Sequence, residues 1–85
     1  MNNKQYHEIL NLINTIFEIN EYKRMVVLVQ EHKFNQLRLL CSEKLEMLNL
    51  LNQWDNNVVI KTQISKCNKL EDIFISLYVD NLTKV

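Results

Sequence analysis

Residues 54–60 of the chain are WDNNVVI, and three consecutive polar residues in this stretch separate two long segments with helical periodicity. Asp and Asn are preferred at the start of a helix, because their side chains accept hydrogen bonds from N–H groups that have no partner within the helix. Residues 55–57 are therefore the strongest break in the chain. The pattern predicts that one helix ends here and a second one begins.

The segment before the break predicts a helix over residues 35–54. Its apolar residues recur at the three- and four-residue spacing of one helical face: Phe34, Leu37, Leu40, Cys41, Met47, Leu48, Leu51 and Trp54. Lys44 lies at the centre of this face. Its stem can pack while its ammonium group reaches solvent, or it can fix the register of the helix as an inner polar residue does. Asn35 is a candidate N-cap within a polar turn of residues 32–35.

The segment after the break predicts a helix over residues 57–83. It carries a regular apolar stripe made of Ile60, Ile64, Cys67, Leu70, Phe74 and Leu77. In its second half further apolar residues, Ile73, Ile75, Tyr78, Val79 and Leu82, spread round more than half of the helix. One core cannot cover so wide an arc. We therefore expect a second copy or a different protein to cover part of it.

The first segment predicts a single long helix over residues 3–33. Its first half has a clear apolar stripe made of Tyr6, Ile9, Leu10, Ile13, Ile16 and Phe17. Asn20 and Lys23 then interrupt this face, and apolar residues restart on a rotated face from Met25. Because no strong helix breaker lies in this region, a continuous helix is preferred over one that ends near Asn20. A short strand over residues 25–29 is the alternative.

Together these segments predict an all-α fold in a single helical domain over residues 1–85, built as a three-helix antiparallel bundle or an elongated helical hairpin. The surplus apolar arc also allows a dimer. Cys41 and Cys67 lie on apolar helical faces, which indicates buried, reduced thiols, with a disulfide between them as the alternative.

The composition excludes several classes of function. The chain has no Gly, so it has no glycine-rich loop that could hold a phosphate group. Ten basic and ten acidic residues cancel, whereas nucleic-acid-binding domains usually have a basic excess. No apolar stretch has the length of a membrane span, and the N-terminal residues do not resemble a signal peptide. We expect a cytoplasmic protein that binds no nucleic acid.

The sequence carries no pattern of catalytic residues. His7 and His32 do not form a metal-binding pair at helical spacing, and no Ser or Cys stands in a nucleophile motif. We therefore predict no enzymatic activity, no catalytic residues, no metal site and no cofactor. The candidate functional residues are apolar and aromatic side chains suited to binding a protein partner: Trp54, Ile73, Ile75, Tyr78, Val79 and Leu82. For Trp54, the alternative is that it closes the core at the end of its helix.

Residues 31–51, EHKFNQLRLLCSEKLEMLNLL, resemble the small helical chaperones of flagellar and type III secretion export. In that family a long first helix leads to a polar turn with an aromatic residue, and a leucine-rich helix with a central basic residue follows. Phe34 would match the aromatic residue and Lys44 the basic one. The apolar stripe over residues 9–19 fits the first helix of the family.

The resemblance implies a cytoplasmic chaperone that shields an aggregation-prone helical segment of a secreted substrate and presents it to the export machinery. Such recognition places an amphipathic helix in an apolar groove. Two other functions fit the sequence: a small phage- or plasmid-type regulator that binds a transcription protein, and a structural homodimer. The neutral net charge speaks against a regulator that binds DNA directly.

Overall fold

The computed structural model describes residues 1–83, which are almost entirely helical. The four helices are α1 (Asn3–Ile16), α2 (Ile19–Gln30), α3 (Phe34–Trp54) and α4 (Val58–Thr83). Because the described residues contain no strand, the predicted all-α class is confirmed. The 26 residues of α4 span about 39 Å at 1.5 Å per residue, most of the length of a molecule that measures 44 × 23 × 20 Å.

The break predicted at residues 55–57 is confirmed as the turn between α3 and α4. The Asp55 N–H still donates to the Leu51 carbonyl oxygen at 2.8 Å, which closes the last turn of α3. Asn57 caps the start of α4, since its Oδ1 accepts a hydrogen bond from the Val59 N–H at 2.7 Å. The chain reverses within three residues without needing a glycine.

The two helices pack antiparallel along a buried seam. Phe34 and Phe74 stack with ring centroids 6.4 Å apart, and the Cys67 thiol donates to the Cys41 carbonyl oxygen at 3.3 Å. Phe34 and Cys41 are seven residues apart on α3, and their partners Phe74 and Cys67 are seven residues apart in the opposite direction on α4. Both pairs therefore fit one antiparallel register. The predicted stripe of the last segment is confirmed at its centre, where Cys67 and Phe74 are fully buried.

The predicted single helix over residues 3–33 is wrong, because the chain leaves the helical conformation at Phe17. This residue adopts an extended conformation with φ −108° and ψ 155°, and α2 starts at Ile19. Glu18 and Glu21 form a capping box that stabilises the new start, in which the Glu21 Oε1 accepts from the Glu18 N–H at 3.4 Å. A glutamate pair is an uncommon N-terminal signal, so the sequence pattern did not indicate the break.

The break lets both halves of the first segment reach the same core. Asn20 and Lys23, which interrupt the predicted apolar stripe, both lie on the solvent-exposed side of α2. Its own buried residues are Met25 and Val29 on the rotated face. The alternative of a strand over residues 25–29 is contradicted, since the whole range is helical.

The helices alternate in direction. Along α1, Gln5 lies beside Leu77 and the Glu8 Oε1 lies 2.9 Å from the Lys69 Nζ, so α1 runs antiparallel to α4. Helix α2 returns from the middle of α3 to its start and is antiparallel to it. All four helices contribute to one core cluster, whose buried members are Ile9, Ile13, Ile16, Phe17, Met25, Val29, Phe34, Leu37, Cys41, Leu48, Cys67, Leu70, Phe74 and Leu77.

The turn between α2 and α3 lies slightly earlier than residues 32–35. Helix α3 begins at Phe34 with Lys33 as its N-cap, so the prediction that Asn35 is the N-cap is wrong. Asn35 lies inside the first helical turn, where its Oδ1 accepts from the Arg38 guanidinium at 2.7 and 3.2 Å. The Asn35 side chain therefore bonds to Arg38, one helical turn later, and does not cap the start of α3.

His32 ends α2 in a left-handed conformation with φ 58°. The Lys33 N–H donates to the Leu28 carbonyl oxygen at 2.9 Å, and the His32 N–H donates to the Val29 carbonyl oxygen at 3.1 Å. This pair of hydrogen bonds is the Schellman motif, in which glycine usually occupies the left-handed position. Because the chain has no glycine, a histidine adopts this conformation, and its ring contacts Phe34 edge to face at 5.3 Å.

We predict that His32→Gly raises the free energy of unfolding by roughly 0.5–1 kcal/mol, because glycine adopts positive φ without strain. Loss of the exposed ring contact with Phe34 offsets part of the gain. Lys23→Gly, in the exposed middle of α2, is the control and should lower the free energy of unfolding by about 1 kcal/mol. Urea unfolding followed by circular dichroism measures both. A loss for His32→Gly equal to that of the control would contradict the prediction.

Candidate functional site

The end of the α3–α4 hairpin exposes a group of large apolar side chains, which we call the tip surface. Its members are Met47, Leu50, Leu51, Trp54, Val58 and Val59. Their exposed fractions range from 48% for Leu51 to 89% for Trp54. Among the described residues of the hairpin, none from 49 to 66 is buried. The tip surface is therefore the end of the hairpin at which the helix pair has no buried side chain.

The tip surface continues the face of α3 on which α2 and Phe17 pack nearer its start. Leu40, Met47 and Trp54 share this face at seven-residue spacing. Leu40 is partly buried and lies beside Phe17 and Met25. Helix α2 starts near Met47 and runs away from the tip, so nothing in the described chain covers the face beyond that point.

The sequence analysis placed Met47 and Leu51 with the core residues of α3, and the structure shows both of them exposed. It also did not identify Leu50, Val58 and Val59 as candidates for binding. One signal was available, because residues 47–60 contain a single ionisable side chain although the rest of the chain is rich in charge. The alternative for Trp54, that it closes the core, is contradicted by its exposure of 89%.

A second apolar surface follows the outer side of α4, and we call it the α4 strip. It consists of Ile75, Val79 and Leu82, which are 37%, 49% and 58% exposed. Their spacing of four and then three residues places them on one side of the helix. Val79 is about 80° and Ile75 about 120° round the helix from Lys69, the residue that pairs with α1, so the strip lies to one side of that ion pair.

Acidic side chains border the α4 strip. Glu71 lies one helical turn before Ile75, and Asp72 lies two turns before Val79. The Glu71 Oε2 is buried and has no hydrogen-bond partner within residues 1–83. A buried carboxylate oxygen without a hydrogen-bond donor lowers the stability of the fold. A basic side chain brought close to Glu71 by a partner would offset part of this cost.

The six residues selected from the sequence do not form one site. Ile75, Val79 and Leu82 lie together on the α4 strip, whereas Ile73 and Tyr78 are partly buried and pack against the core. Trp54 lies at the opposite end of the hairpin. The 24 residues from Val58 to Leu82 correspond to about 36 Å along α4.

Lys44 contacts the joint between α1 and α2. Its side chain is half-buried, and its Nζ lies 5.6 Å from the centroid of the Phe17 ring. A lysine over an aromatic face gains roughly 0.5–1 kcal/mol at a partly exposed site. The interpretation that the stem of Lys44 packs while its ammonium group stays near the surface accounts for this geometry.

The two cysteines are free thiols at the centre of the seam between α3 and α4. Burial raises the pKa of Cys67 to about 11, and the neighbouring Glu71 carboxylate adds to the effect. Burial raises the pKa of Cys41 still further, with smaller contributions from Cys67 and Glu71. Thiols of this kind remain protonated and unreactive at neutral pH, so they serve packing.

Within residues 1–83, no three His, Cys, Asp or Glu side chains are grouped so that they could hold a metal ion. The helices of this part of the chain are also too short or too polar to cross a membrane. Comparison with protein-family models, curated proteins and solved structures finds no match to the chain. Its function must therefore be inferred from the two exposed surfaces and their chemistry.

We predict that the buried thiols make the protein less stable above pH 9. An unfolded thiol ionises near its ordinary pKa of 9.0, whereas Cys67 in the folded protein keeps its proton up to about pH 11. Between these values the unfolded state binds fewer protons than the folded state, so the free energy of unfolding falls as pH rises. Below pH 9 this contribution is constant.

Urea unfolding at a series of pH values between about 8 and 11 measures the effect. Lysine and tyrosine side chains also titrate in this range, so the double variant Cys41→Ala/Cys67→Ala serves as the control for their contribution. Its free energy of unfolding should fall less steeply with pH than that of the natural chain. Equal slopes would show that the thiols do not couple to folding.

Proposed function

We propose that this chain is a protein-binding chaperone that holds an amphipathic helical segment of an export substrate against the α4 strip. The observation that supports it is the exposure of Ile75, Val79 and Leu82 on one side of α4. Helix-in-groove recognition uses apolar anchors at this spacing on both partners. A client held before export would meet the chaperone in the cytoplasm, which is part of the proposal.

The border of the strip favours a client helix with a basic residue beside its apolar stripe. Glu71 and Asp72 supply negative charge on either side of the strip, at its end nearer the middle of α4. A lysine or arginine beside the apolar stripe of the client would pair with these carboxylates. Opposite charges at the edge of an apolar contact mainly fix orientation and choice of partner.

The resemblance to export chaperones supports the proposal through α3. Helix α3 begins at Phe34, directly after a polar turn, and carries Lys44 at its centre. The long first helix of that family is not present here, because α1 and α2 are separate helices. The support from resemblance therefore rests on the second helix of the pattern.

Val79→Asp tests the α4 strip, and Val27→Asp is a matched control. Both valines lie within helices and are about half exposed, but Val27 lies on α2, away from the strip. Tagged full-length chains would be used to capture partners from the source cells. A peptide from the captured protein would then be titrated by fluorescence anisotropy. We expect Val79→Asp to weaken binding at least about tenfold, since it places a charge in an apolar contact.

The control should bind within about twofold of the natural chain, and circular dichroism should show both variants to be folded. Glu71→Gln should weaken binding less than Val79→Asp and should reduce its dependence on salt, because it removes one charged contact. If Val79→Asp and Val27→Asp capture and bind the same partner equally well, the α4 strip is not the docking site.

A further inference from the structure

The tip surface has no role in the proposed function, yet it is the larger of the two exposed apolar surfaces. We propose that it joins two copies of this chain in a symmetric dimer, hairpin end to hairpin end. Three properties of the surface support a second copy as its occupant. They are its area, its lack of charge and its continuity with the core.

The area of the tip surface matches what a stable dimer needs. Taking about 200 Å² as the accessible area of a large side chain, the exposed fractions of its six residues amount to roughly 800 Å² per protomer. A standard protein–protein interface buries about 800 Å² on each partner. The three residues of the α4 strip, on the same basis, expose roughly 300 Å².

The chemistry of the surface is complementary to itself. In residues 47–60, Asp55 is the one ionisable side chain, and the other polar side chains in this stretch are amides of Asn and Gln. An amide group carries both a donor and an acceptor, so two identical rims can form hydrogen bonds across a two-fold axis. Identical charged rims would repel each other instead. The Asn52 Oδ1 is buried without a partner within residues 1–83, and it lies at this end of the hairpin.

The surface is also continuous with an interface that exists within the chain. The face of α3 that packs on Phe17 at Leu40 continues through Met47 to Trp54. A second hairpin placed on this face would extend the same packing that α2 and Phe17 provide nearer the base. Leucine, valine and tryptophan side chains without a cover in a charge-poor surface are typical of a subunit interface.

The proposed dimer leaves the α4 strip free. The strip is centred on Val79 in the last third of α4, about 32 Å along the helix from Val58 at the tip. One dimer would therefore present two docking strips at its outer ends. The inference does not rest on the proposed function, because association through the tip surface requires no client.

Trp54 makes the test specific, because it is the single tryptophan of the chain and belongs to the tip surface. The mass of the natural full-length chain would be measured by sedimentation equilibrium between about 1 and 100 µM, and tryptophan emission would be recorded over the same range. We expect the mass to approach twice 10.2 kDa as concentration rises. Trp54 emission should shift to shorter wavelength with the same midpoint, because the indole leaves water.

Trp54→Glu and Val58→Glu should each remove the dimer at all these concentrations while circular dichroism remains unchanged. Both positions are strongly exposed in the protomer, so these substitutions should not disturb folding. Val27→Glu is the matched control and should dimerise like the natural chain. Val79→Asp should also leave dimerisation intact, which separates this result from the test of client binding.

Three outcomes would overturn the proposal. A natural chain that stays at the mass of one protomer at about 100 µM would show that the tip surface does not self-associate. A dimer that persists in both Trp54→Glu and Val58→Glu, or forms without any change in Trp54 emission, would place the contact elsewhere. A monomer whose Trp54 emission shifts only when a client protein is added would assign the tip surface to a different partner.

Discussion

The antiparallel seam between α3 and α4 is the interaction on which the rest of the structure depends. Phe34 stacks on Phe74, and the Cys67 thiol donates to the carbonyl group of Cys41 one helical repeat further along. These contacts fix one register for two long helices, and burial of the side chains along the seam supplies most of their mutual stability. The short helices α1 and α2 then pack on a hairpin whose geometry is already set.

Because α1 and α2 are short, they cover only the base of this hairpin. The chain folds back at Phe17, level with Lys44, and α2 returns towards the start of α3. The face of α3 on which α2 and Phe17 pack therefore continues beyond them as the tip surface, and the α4 strip stays uncovered within the described residues. Within the described residues, α1 and α2 have 14 and 12 residues against 21 and 26 for α3 and α4, so they leave both surfaces uncovered. The proposals of protein binding rest on this imbalance between the length of the hairpin and the helices that cover it.

The chain makes these turns without glycine or proline. The side-chain amides of Asn2 and Asn57 cap the starts of α1 and α4, and a capping box of two glutamates caps the start of α2. His32, with positive φ, ends α2. Each device satisfies free N–H or carbonyl groups at a helix end in a different way. Caps of this kind are local and depend on a few side-chain contacts. Their positions were therefore only partly predictable, with residues 55–57 identified and the cap at Asn35 misplaced.

The sequence by itself determined the helical class, the break at residues 55–57 and the buried stripe of α4, because side-chain periodicity and N-cap preference act within a few residues of each other. Only the tertiary structure decided that the first segment bends at Phe17 and that Met47 and Leu51 lie in solvent. Periodicity shows which residues share a helical face, but it does not show how far a neighbouring helix extends along that face. The length of α2 and its direction of return set that limit, and both arise from contacts between residues distant in the sequence.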